Sequence, residues 1–174
     1  YVYHHRNATF FEVLKGIRWN ELHEKNKRLY YNKWGKPIKI VIILDAASSQ
    51  DRGLLEVVKD TIYYLARRQH HINIWSPCDI KKEFSHTNVN LKSSNPFLFW
   101  PMVSSDLYMN RRKRDGKRYN AVFSFDSKLG NALRRNGIFD GMPIHVNAAD
   151  KTEFNAFIRE RVDRMKEDTK KYYG

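Results

Sequence analysis

The spacing of apolar positions changes several times along the chain, and each change marks an element. Residues 38 to 45, "IKIVIILD", form an unbroken β-branched run of strand length, the pattern of a strand covered on both faces in a parallel sheet. From Asp51 to Arg68 the period lengthens, with Leu54, Leu55, Val58, Ile62, Leu65 and Ala66 recurring at helical spacing. "HINIW" from His71 returns to strand type and completes a β-α-β unit, for which a right-handed crossover is expected. Further on, "NAVFSFD" predicts a strand, "SKLGNALRRNGI" a short helix closed by Gly137, and "MPIHVNA" another strand. A last helix places Phe154, Phe157, Ile158, Arg161 and Met165 on one face, behind a capping-box pattern, "DKTE", at 150 to 153. Upstream, residues 9 to 31 read as a helix with Phe10, Leu14, Ile17 and Glu21 aligned. It is opened by the capping-box pattern "TFFE" and stopped by Gly35 and Pro37.

Between 76 and 120 the pattern weakens. "SHTNVNLKSSNP" is polar and full of turn formers. "NPFLFWPMV" is apolar but bracketed by Pro96 and Pro101, which predicts an irregular or edge segment. "DLYMNRRKRDGKRYNAVFSFD" predicts a hairpin with Asp115-Gly116 in its turn. The expected fold is therefore α/β: a three-layer Rossmann-like domain with a mostly parallel central sheet, an extra N-terminal helix and a C-terminal helix. Residues 1–36 are expected to form the helical extension. Residues 37–174 form the domain, with an irregular basic insertion around 78–120.

Composition adds two constraints. The 174 residues are 41% hydrophobic and 14% aromatic, enough for a real core and unlike a disordered tail. Lys and Arg number 32 against 19 Asp and Glu, a net charge of +13 that favours phosphate polymers, anionic lipid surfaces or acidic proteins. The single cysteine, Cys78, excludes an internal disulfide and a multi-cysteine zinc site. It fits a reducing compartment, so a cytoplasmic location or a soluble domain of a larger protein is expected. No run approaches the roughly 20 apolar residues of a membrane span. The chain opens at Tyr1, as expected for a piece of a longer protein.

Candidate chemistry concentrates where strands end, because ligands of parallel α/β sheets gather at the carboxyl ends of the strands. Asp45 follows the first strand and Asp126 a later one, with Ser48, Ser49, Ser124 and Ser127 beside them. Two carboxylates with hydroxyls are donors for Mg²⁺, a hard cation that prefers oxygen. The same residues are also those that cap the following helix, and for Asp126 capping is the expected role. A second candidate is "NRRKRDGKR", 110 to 118, with six cations against one acid. Arg111, Arg112, Lys113, Arg114, Lys117 and Arg118 would bind a polyanion there, with Tyr108 and Tyr119 stacking on bases or pairing across the hairpin. Arg134, Arg135 and the cations Lys25, Lys27 and Arg28 are candidates to extend that patch. His70 and His71 do not form a catalytic pair, since adjacent strand residues face opposite ways.

Two families share parts of this pattern. "IVIILDAASSQDRGLLEVVKDTIYYLA" resembles the opening strand and helix of von Willebrand factor A-type domains, and "GMPIHVNAADKTEFNAFI" is similar to their closing strand and helix. That resemblance covers about 45 residues in two blocks and implies a divalent-cation site using Asp45 and Ser49. The family's intermediate Ser is replaced here by Ala47. "NAVFSFDSKLGNALRRNGIFDGMPIHV" is similar to the closing half of PIN-like ribonuclease domains, which implies Asp45 and Asp126 as two acids of a Mg²⁺ site, with Glu56 or Asp60 as a third. The reading that accounts for most of the chain is a non-catalytic binding or assembly module of a larger protein or complex. It would contact protein partners at the strand-end crevice and an anionic surface, nucleic acid or acidic lipid, through the basic segment. The alternative is a Mg²⁺-dependent nuclease acting through Asp45 and Asp126.

Overall fold

The computed structural model describes residues 19–113, 117–136, 142–146 and 151–171. Pro37–Lys166 form one compact unit, whereas the helix α1 (Trp19–Trp34) and the chain from Glu167 onwards belong to a second. Helix α1 runs three residues beyond the expected end. It stops at Gly35, whose φ of 75° suits glycine and whose N–H reaches back to the Tyr31 carbonyl. The predicted capping box at 9–12, Asp150 of the box at 150–153, and the helix stop at Gly137 fall outside the described residues.

From Pro37 onwards the elements follow in the order β1 (Lys39–Ile43), α2 (Ala46–Gln50), α3 (Arg52–Arg67), β2 (His71–Ser76), β3 (Val89–Ser93), α4 (Pro96–Arg111), β4 (Ala121–Ser124), α5 (Ser127–Arg135), β5 (Ile144–Val146) and α6 (Lys151–Lys171), the last of which extends past Lys166. The five strands form one all-parallel sheet in the order β3-β2-β1-β4-β5, flanked by helices as in a Rossmann-like three-layer fold. β1 lies at its centre because every residue from Ile40 to Ile43 is apolar. Ile40 and Ile42 pack with Leu54, Val58 and Ile62 of α3 and Phe154 and Ile158 of α6, while Val41 and Ile43 pack with Phe99, Val103 and Leu107 of α4 and Leu129 and Leu133 of α5. Alternate side chains of one strand thus seed both cores, the reason a doubly covered strand reads as a continuous apolar run. In α6 the buried face is Phe154, Ile158 and Val162, with Phe157 and Met165 half-buried and Arg161 exposed.

The region expected to be an irregular insertion contains a strand and a long helix, and three expectations are corrected there. "NVNLKS" contains β3, an edge strand whose Val89 and Leu91 are half-buried against one core, so only two positions carry an apolar signal. "NPFLFWPMV" is not irregular but opens α4. Asn95 caps the helix through the Phe97 amide, and Pro96 takes the first-turn position, where a missing N–H costs nothing. Pro101 sits inside the helix, and the carbonyl it leaves without an intrahelical donor is that of Phe97, in the exposed first turn. The expected hairpin does not form either, because Asp106 to Arg111 continue α4 and the basic segment follows its end.

Strand order fixes where ligands have room. From β1 the chain moves to β2 and β3 on one side, then α4 returns it to β4 on the other, so a topological switch point lies between the carboxyl ends of β1 and β4. All three crossover helices α3, α4 and α5 run back from the carboxyl to the amino ends of the strands. Their last turns therefore share one rim.

Candidate functional site

Asp45 and Asp126 occupy equivalent places at the switch point. Ile43 and Ser124 are register partners in the parallel pair β1–β4, and each aspartate follows two residues later. Each also caps a helix: Asp45 Oδ1 accepts the Ser48 N–H at 2.7 Å and Asp126 Oδ1 the Leu129 N–H at 2.8 Å. The second oxygen of Asp126 accepts the Trp100 indole N–H at 3.1 Å, which ties the start of α4 to this rim. Ser124 Oγ donates to the Asp126 carbonyl and so braces the same turn.

The Ser49 hydroxyl beside Asp45 is engaged within the fold. Ser49 is buried, and its hydroxyl donates to the Asp45 carbonyl at 2.7 Å and lies 2.9 Å from Ser76 Oγ. Ser76 Oγ in turn bonds the Cys78 carbonyl and amide. This hydroxyl pair links the ends of β1 and β2 from inside and turns no oxygen outward. Ala47, exposed, cannot replace the missing donor. Glu56 is exposed and ion-paired with Lys59, and among the described residues no three Asp, Glu, His or Cys side chains converge on a possible metal. Of the expected donors Asp45, Ser49 and Asp126, Ser49 is therefore turned into the fold and the two aspartates each hold a helix end.

The basic residues gather at the opposite rim. Arg111 ends α4, Arg112 is its C-cap, and Lys113, Lys117 and Arg118 follow, all exposed; Arg114 lies outside the described residues. The segment is anchored at both ends. Buried Asn110 accepts the Tyr119 N–H and donates to the Lys117 carbonyl, and Arg118 Nε donates to the Lys113 carbonyl at 2.6 Å. Arg112 lies over the Tyr108 ring, 4.4 Å from its centroid, and bonds its hydroxyl. The other flanking tyrosine is not available to a ligand. Tyr119 is buried, and its hydroxyl donates to Asp106 Oδ2 at 3.0 Å. Burial, then the Asp106 charge and that hydrogen bond, push its phenol pKa well up.

Asp106 Oδ2 also accepts the Trp75 indole N–H at 3.1 Å and pairs with Lys92 at 2.9 Å. A single acid in the middle of an aromatic helix thus joins β2, β3 and the approach to β4. Its isolation in an otherwise apolar run was the available signal, and the hairpin expectation obscured it. Asn110 had no such signal. Arg134 and Arg135 end α5, in the same layer as α4 and at the same rim, and Arg134 Nε donates to the Ile144 carbonyl at 2.9 Å. Lys25, Lys27 and Arg28 lie on α1, in the other compact unit.

The histidines play separate parts. His71 is exposed at the start of β2, and the Asn73 side chain accepts from Asn90 of β3. His70 precedes the strand and is fully buried, its Nδ1 accepting the Ile38 N–H at 3.4 Å. Cys78 is a half-buried free thiol.

No protein-family model matches this chain, and neither the curated proteins nor the solved structures contain a significant match.

Proposed function

We propose that this chain is a non-catalytic binding module of a larger protein or assembly, and that it engages a phosphate-rich polyanion through residues 110–118. The supporting observation is the anchoring of that segment: Asn110 and the Arg118–Lys113 contact hold its two ends, so the cations project from a fixed base. Anchoring of these flanking residues reduces the entropy lost on binding. Among the described residues no ion pair involves Arg111, Arg112, Lys113 or Lys117, so their charge is directed to solvent.

The opposite rim supplies the protein contact. Phe97 is 91% exposed in the first turn of α4, with Leu98, Trp100 and Met102 beside it, next to the Asp126 turn. A groove of about 800 Å³ between α4 and β3, lined by Trp75, Met102, Asp106 and Met109, continues this apolar surface. Contiguous exposed apolar side chains of this kind mark interaction surfaces. Catalysis through Asp45 and Asp126 has less support, since both carboxylates already hold helix ends.

Replacing Arg111, Arg112, Lys113 and Arg114 together by Gln tests the reading. Binding to heparin or to a labelled oligonucleotide is expected to weaken markedly at low salt while the fold survives. Unchanged affinity would remove the assignment.

A further inference from the structure

The chain has three Arg-Arg pairs: Arg67-Arg68, Arg111-Arg112 and Arg134-Arg135. Each falls at the C-terminal end of a crossover helix, α3, α4 and α5 respectively, and the all-parallel topology brings these three ends to one rim. A cation in the last turn complements the helix dipole, which by itself would explain one Arg per helix.

The three pairs differ in what meets them. On the α3 and α6 face, Arg68 is matched by Asp163 at 3.0 Å and lies over the Tyr64 ring. On the α4 and α5 face, no described carboxylate pairs with Arg111, Arg112, Arg134 or Arg135. Helices packed in one layer lie roughly 8–10 Å apart, so these two pairs are separated by about three base-pair rises of a duplex. Arg134 is held by the Ile144 carbonyl through one of its five N–H groups, which fixes the guanidinium and leaves a fork for a phosphate.

Among the described residues the same rim offers little of what other anionic partners reward. Single strands are held largely by stacking on aromatic rings. Here Tyr119 is buried and the Tyr108 ring is covered by Arg112. Lipid surfaces reward apolar insertion beside the cations. The larger exposed apolar cluster, Phe97, Leu98, Trp100 and Met102, lies in the first turns of α4, at the far rim, whereas its last turns expose two such side chains, Tyr108 and Met109.

We infer that the polyanion is double-stranded nucleic acid, held by its phosphates across the ends of α4 and α5, with Arg134 and Arg135 as the second half of the site. The contact reads the backbone and not the bases, so binding is nearly independent of sequence. This rests on the reading of residues 110–118 given above, and the two fail separately.

The test measures binding of the full chain to a 20-base-pair duplex, the matching single strand, and vesicles of phosphatidylserine and phosphatidylcholine, for the native protein and for R134Q/R135Q. Duplex binding is expected to be several-fold tighter than single-strand binding, in keeping with its doubled charge per length. R134Q/R135Q is expected to lower the slope of log K against log salt by about 2. A full native affinity and slope in R134Q/R135Q, with duplex binding intact, would overturn the extended site and leave the 110–118 reading standing. Tighter binding to single strands or to vesicles would overturn the duplex assignment. Absence of binding to all three would remove both.

Discussion

His70 is the clearest source of pH-dependent stability in this protein. It is fully buried between the end of α3 and the start of β2. Nδ1 accepts the Ile38 amide, so the proton of the neutral ring resides on Nε2, which has no partner among the described residues. A second proton would have to displace the Ile38 bond and place a charge in the core. Burial first, and then the Lys166, Arg68 and His71 charges against the opposing pull of Asp163, lower its pKa from 6.5 to about 4. Between those values the unfolded chain binds a proton that the folded chain does not, so stability falls as the pH drops through this window and levels off below about 4. The displacement from 6.5 to about 4 corresponds to ~3 kcal/mol in total, of which about 2 kcal/mol is lost between pH 7 and pH 5. His71 and His145, lowered chiefly by burial, act in the same direction. The assay is urea unfolding from pH 7.5 to 4.5 for the native protein and for His70→Asn, whose side-chain oxygen can still accept the Ile38 N–H but does not titrate. The difference between the two proteins should change by about 2 kcal/mol between pH 7 and pH 5. Parallel losses in both would refute the reasoning, because the acid sensitivity would then arise elsewhere.

Three further outcomes follow from the packing. Asp45→Ala should cost about 1 kcal/mol through the lost helix cap, while Asp45→Asn keeps most of it; equal denaturation midpoints for Asp45→Ala and the native chain would contradict the capping role. Gly130→Ala should destabilise by about 1–3 kcal/mol in thermal or urea unfolding, because a Cβ there would collide with Val146 Cγ2 and come within 3.2 Å of Ser124 Cβ; no change would mean that α5 can shift without penalty. Asp106→Ala should cost about 2–3 kcal/mol by orphaning Trp75 and Tyr119 together, and should lower the raised Tyr119 pKa, read by tyrosine absorbance in an alkaline titration; an unaltered titration would separate Tyr119 from Asp106.

How much of this was legible in the sequence depends on how strongly each segment's burial is patterned. β1 and α3 were legible because one strand buried on both faces and one helix buried on one face leave unmistakable periods. β3 was not, because an edge strand half-buried on one side offers only Val89 and Leu91 among Asn, Lys and Ser. α4 was obscured because apolar side chains occupy its exposed surface as well as its core face, which erases the helical period, and two prolines suggested a break where Asn95 and Pro96 make a start. The rim aspartates were located correctly from the strand ends. Their hydrogen bonds, and the inward turn of Ser49, depend on the loop path and on contacts from α4 and β2 that no local pattern encodes. The placement of the basic segment at the rim opposite Asp45 follows from α4 being a helix, so that one misread element moved a whole candidate site.

The central claim, that cations at the ends of α4 and α5 bind phosphates, is tested most directly by the salt dependence of duplex binding by the native chain. Seven contacts, from Arg111, Arg112, Lys113, Lys117, Arg118, Arg134 and Arg135, predict a slope of log K against log salt of about −6. A slope near zero, or duplex binding that persists undiminished at high salt, would contradict the account.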